Sequence, residues 1–219
     1  MEYPRIKFKV NKNLDKKMIM EFLGLNVAGV NFAAGIFETH PKIKKAIFQY
    51  IDSFYKINTP LLNKVAIEFG ERWRSKEKSF FSIVNSIFEN HHWPKGKYIG
   101  YLSIFDCNPR FLKNKTFQIF YKHKRGHIYI IAHELLHFIF YDYIDKKRKD
   151  LKKLSENELW KFSEIANDVL LGLPQLKMAL GIQKQTRGYP ALQKSISKIK
   201  NGIKTVPNID YLIGLLLRP

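Results

Sequence analysis

The stretch "YIIAHELLHFIFYDYI", Tyr129 to Ile144, sets two histidines and a glutamate into one of the most apolar runs of the chain. Its length and composition predict a helix, running from about Gly126 to about Ile144. On a helix, His133 and His137 are four residues apart, hence about 40° apart in azimuth and roughly 6 Å apart in rise, so both imidazoles can reach one ion. Glu134 projects beside the pair, where its carboxylate can hydrogen-bond a metal-bound water without ligating the metal itself. The alternative is an amphipathic helix with two partly buried histidines. Chance would place such a pentad in a chain of this composition on the order of 1% of the time, and a buried, unpartnered glutamate is costly. The pentad therefore reads as a metal-binding helix with a general base.

A catalytic zinc site needs a third protein ligand and one position left for water. No histidine follows His137, and Phe140 and Tyr143 stand where an extended H-E-x-x-H-x-x-G-x-x-H motif requires Gly and His. Asp142 and Asp145 lie too far along the same helix. Glu156 and Glu158 fall in the first turn of a further helix, "ENELWKFSEIANDVLLGL", which Ser155 and Glu158 open as a capping box. Glu164 remains, inside that helix and four residues ahead of Asp168. The pair shares one helical face, which predicts Glu164 as third ligand and Asp168 as hydrogen-bond partner to the free nitrogen of a ligand histidine. Trp160, a turn earlier, reads as a core aromatic.

Working outward, 219 residues at 45% hydrophobic suffice for a buried core. The first ninety residues read mostly as helix: "NLDKKMIMEFLGL", then "HPKIKKAIFQYIDSFYKI" capped by Thr39, then a third helix after Pro60. "NVAGVNFAAGIF" reads as a buried connection or short strand. "KYIGYLSIFD" and "KTFQIFYK", rich in aromatic and β-branched residues, predict two strands of a small sheet. The expected fold class is α+β: a mainly helical N-terminal part, a small sheet, the H-E-x-x-H helix and a Glu-bearing helix. The division is a helical lobe over 1–95 and a core over 96–219 with a basic C-terminal segment, or one domain over 1–219. The apolar end "YLIGLLL" is expected to pack back on the core.

Charge and cysteine content narrow the classes. The net charge of +19 favours polyanions, but the lysines are spread along the chain and no RNA-recognition motif or Cys/His finger is present. At most non-specific nucleic-acid binding is expected. With Cys107 the only cysteine, no internal disulfide or thiolate cluster can form, and a reducing cytoplasm fits. Cys107 itself reads as a small buried hydrophobe. The opening residues lack an apolar leader core, and no segment approaches the roughly 18 apolar residues of a membrane span. His123 and His127, again four apart, read as a solvated basic turn in preference to a second metal site, and His91 and His92 as a helix end.

"HELLH" followed by "SEIAND" resembles the gluzincin group of zinc metallopeptidases, which pair an H-E-x-x-H helix with a separate E-x-x-x-D helix. In thermolysin-like members the second motif reads N-E-x-x-S-D; here Ser163 and Asn167 replace the Asn and Ser while Glu164 and Asp168 keep register. The resemblance covers residues 115 to 172. It implies one Zn2+ per chain held by His133, His137 and Glu164, with Glu134 as general base in the hydrolysis of a peptide or protein substrate. It also implies that "TFQIFYK" lines the cleft and pairs with extended substrate, and that a Tyr or His donor serves the oxyanion; with no His downstream, Tyr141, Tyr143, Tyr189 and Arg187 are the candidates. Two other classes stand beside it. One is a zinc-containing regulatory or interaction protein with lost or restricted proteolysis, and the other a basic nucleic-acid-associated protein.

Overall fold

The computed structural model describes residues 3–23, 25–27, 30–31, 41–123, 126–183, 188–203 and 207–217. It is an α+β fold: a four-stranded sheet, a separate two-stranded pair and seven helices among the described residues. Thr39, expected as a cap, and Arg187 lie outside those residues.

The chain opens with β1 (Ile6–Val10), a strand within the region expected to be mostly helix. "IKFKV" alternates apolar and Lys residues, so one side meets the core while the lysines are exposed. β1 runs parallel to β4 (Tyr98–Ser103), which runs parallel to β6 (Thr116–Phe120); the two-residue β5 (Arg110–Phe111) closes the edge antiparallel to β6. Sheet order is therefore β1-β4-β6-β5. Gly100 in β4 is required by close approach, since a Cβ there would stand 2.6 Å from the Phe8 ring. A short antiparallel pair, β2 (Asn26–Val27) and β3 (Val30–Asn31), falls within the stretch expected to be a connection or short strand.

Between β1 and β4 run α1 (Lys12–Phe22), capped by the Asn11 side chain accepting from Leu14 N–H, and α2 (Pro41–Ile87). α2 is one helix of 47 residues, not two broken at Pro60. Proline removes one backbone donor. Two side chains act on the carbonyls just before it: Asn58 Nδ2 donates to Phe54 O at 3.0 Å and Thr59 Oγ1 to Tyr55 O. Asp15 of α1 joins the layers. Its buried carboxylate accepts from Tyr55 Oη at 2.6 Å, Gln118 Nε2 at 2.7 Å and Ile104 N at 3.0 Å, and burial pushes its carboxyl above the usual range despite those bonds.

The predicted metal-binding helix is α3 (His127–Lys147). A helix apolar on all sides belongs in a core, and nearly every residue from Tyr129 to Ile144 is buried. Phe138 packs edge-on to Tyr98 at 5.6 Å, seating α3 on the sheet. α4 (Glu156–Leu171) lies against its other side and starts at the expected capping box: Ser155 Oγ accepts from Glu158 N, and the Glu158 carboxylate accepts from Ser155 N at 2.8 Å. Pro174 stands at the first turn of α5 (Pro174–Leu180), where its missing N–H costs nothing. α6 (Gln193–Gly202) and α7 (Ile209–Leu216) follow, and Leu212 and Ile213 bring the C-terminal apolar segment into the core as expected. No helix among the described residues is long and apolar enough to cross a membrane.

Candidate metal centre

Two facing helices bring the predicted ligands together. His133 Nε2 and His137 Nε2 from α3 stand 3.0 Å apart. Glu164 from α4 places Oε2 at 3.2 Å from His133 Nε2 and Oε1 at 3.4 Å from His137 Nε2. Donors bound to zinc at about 2.0–2.1 Å in a tetrahedron lie about 3.3 Å from one another, so the three side chains fit such an ion. Among the described residues this is the one group of three or more His, Cys, Asp or Glu side chains with metal-ligand spacing. Asn167 holds the two helices in register, its side-chain amide donating to His133 O at 3.0 Å.

Burial and the charges within the cluster together set its protonation. His137 is fully buried and its imidazole is pushed down to about 3, first by burial and then by the Arg110 charge, which leaves the neutral ring a metal requires. Glu164 would be raised by burial, yet the facing His137 and His133 rings hold it well below the usual carboxylate range. Burial pushes Glu134 up to about 7, against the pull of His133 and Arg110. Its Oε2 is buried without a hydrogen-bond partner, and the residue lines a cavity of about 340 Å³ shared with His133 and Glu164. An acid near neutrality, one residue from a ligand and facing open space, is placed for proton transfer.

No family model, curated protein or solved structure matches the chain.

The other expected site residues are placed differently. Asp168 accepts from Gly188 N at 3.1 Å and from Lys200 Nζ, while the Nδ1 atoms of both His133 and His137 are buried without a partner. Asp168 thus ties down the 188–189 segment and does not fix a histidine tautomer. Gly188 is needed there because a Cβ would stand 2.8 Å from Asp168 Oδ2. That segment carries Tyr189, which lines the cavity and meets Trp160 edge-on at 5.1 Å. Tyr141 sits beside His137, with ring centroids 6.4 Å apart, and Ser163 Oγ donates to its hydroxyl. Tyr143 packs on Phe88 and His91, on the Asp142 side of the helix.

β6 is not open to an extended peptide. β4 occupies one edge; on the other, beyond β5, Gln118 N donates to Pro109 O at 2.8 Å and Phe120 N to Asn108 Oδ1 at 2.9 Å. Cys107 lines the cavity, but burial pushes its thiol up to about 12, so it is no nucleophile at neutral pH.

Arg110 is the site residue that sequence reading missed. Its Nη1 donates to Glu164 Oε1 at 2.9 Å. It sits in a two-residue strand, without the periodic context that marked the helical ligands.

The second histidine pair is split between partners. His123 Nε2 lies 3.5 Å from Asp106 Oδ1, whereas His127 stacks flat on Phe69 at 4.2 Å. Burial, then the charge of Arg72, pushes His127 down to about 4. A histidine held neutral in the fold contributes stability that is present above its unfolded value of about 6.5 and lost as pH falls through about 4. The midpoint of urea unfolding is therefore expected to drop between pH 6.5 and pH 4.5 by more in the wild type than in His127→Gln.

Proposed function

We propose that the chain is a zinc-dependent metallopeptidase of the gluzincin kind. The observation that carries this is the convergence of His133 Nε2, His137 Nε2 and the Glu164 carboxylate at 3.0–3.4 Å from two helices, with the Glu134 carboxylate beside them on one cavity. His133, His137 and Glu164 would hold one zinc, which supplies Lewis acidity toward a water and the scissile carbonyl.

Proton handling falls to Glu134. At about 7 its carboxyl is near enough to ambient pH to accept the proton of the attacking water and return it to the leaving amine. Tyr189 and Arg110 both line the cavity and can donate to the carbonyl oxygen of a bound peptide. Tyr143 has no such access.

The cavity wall indicates the substrate. Its lining includes the apolar Tyr189, Leu192 and Ile196 and the polar Asn108 and Arg110. A volume of about 340 Å³ suits an apolar side chain with the peptide group next to it, not a folded protein surface. Unstructured peptides with hydrophobic residues at the scissile bond are expected to be cleaved, with phenanthroline abolishing the cleavage and added zinc restoring it. Cleavage that survives chelation would reject the reading.

A further inference from the structure

The Arg110 guanidinium is mostly buried, with 17% of its side-chain surface exposed against 3% for Glu164. It is placed by β5, where Arg110 pairs with Phe117 of the central strand. Besides its bond to Glu164, it lies close enough to Glu134 and Tyr141 to feel their charge. A permanent cation is thus built into the same carboxylates that the metal reading assigns to ligation and proton transfer. Its partner atom matters: the Oε1 it holds is also the Glu164 oxygen nearest His137 Nε2.

We propose that Arg110 is the internal counter-cation of this site: it holds the Glu164 carboxylate when no metal is bound and competes with the metal ion for it. The site then stays assembled in the metal-free chain and binds its ion less tightly than its ligands alone would.

Three physical arguments give the sign. The usual outer partners of metal ligands are carboxylates and carbonyls that raise ligand basicity; a guanidinium draws charge away from the carboxylate it binds. Two cations on one buried carboxylate repel in a medium of low dielectric. Without Arg110, a metal-free chain would carry a buried carboxylate stripped of its cation, a strongly destabilising arrangement. By reciprocity, whatever Arg110 adds to the metal-free fold beyond the loaded one is subtracted from metal affinity.

The inference rests on the metal reading above but requires no peptidase activity. Its test compares wild type, Arg110→Gln and Arg110→Lys by zinc competition against a chromophoric chelator and by thermal unfolding of chelator-stripped and zinc-loaded protein. Arg110→Gln is expected to lower the melting temperature of the stripped protein clearly and of the loaded protein much less, while tightening zinc binding by on the order of ten- to a hundredfold. Arg110→Lys, which keeps the charge, should stay near wild type in both. Should stripped Arg110→Gln be unfolded, its folding on addition of zinc supports the proposal, and failure to fold with zinc overturns it. Equal destabilisation of both forms, or zinc affinity unchanged or weaker, overturns it while the metal reading stands. If zinc ignores wild type and variants alike, the metal reading fails and this inference with it.

Discussion

Purified protein is expected to hold one zinc per chain, and His133→Ala, His137→Ala or Glu164→Ala to weaken that zinc by several orders of magnitude in a competition titration. Each change removes one of three donors and leaves a pair, and structural binding energies of such ions are large enough for one ligand to decide occupancy. Glu164 is the sharpest case because two histidines four residues apart on one helix still form without it. Its loss also leaves Arg110 buried without its nearest anion. Glu158→Ala is the control. It sits in the capping box at the helix start, so its loss should lower stability slightly and leave zinc untouched.

Glu134→Gln carries the second large effect. Glutamine keeps the side chain's size and a hydrogen-bonding oxygen but cannot accept the proton, so hydrolysis should fall by several orders of magnitude with zinc content unchanged. The fold should hold as well, because the residue is 3% exposed and the ionised acid is disfavoured where it stands. In metal-free protein Glu134→Gln is expected to unfold no earlier than wild type. A variant that kept its turnover would assign the base elsewhere.

The donors that converge in space are those carried on long periodic helices. His133, Glu134 and His137 were legible because helix geometry alone relates positions four apart, and the apolar run around them left no doubt that a helix was there. Glu164 was reached by elimination along the chain, and α4 brings it to the pair because the capping box at Ser155 starts the helix in the right phase. Asp168 shares that helix face, yet its carboxylate meets Gly188 and Lys200, partners 20 and 32 residues away that helical spacing cannot reveal.

Features set by tertiary pairing were harder to read. The alternation in "IKFKV" is only five residues long and rich in lysine, so β1 gained its status from its neighbour β4. Pro60 looked like a helix end because proline's missing donor is visible in sequence, whereas the packing that carries α2 through it is not. Arg110 illustrates the limit most clearly: an arginine between Pro109 and Phe111 in a two-residue strand has no local signature, and only the fold shows that it faces Glu164.

The most direct test of the central claim is mass spectrometry of a peptide pool incubated with zinc-loaded protein in water enriched in oxygen-18. Hydrolysis by an activated water predicts new peptides whose freshly made C-terminal carboxylates carry the heavy isotope, with wild type, and their absence with Glu134→Gln or phenanthroline. Wild-type protein holding one zinc per chain that yields no labelled C-termini from a broad pool would contradict it.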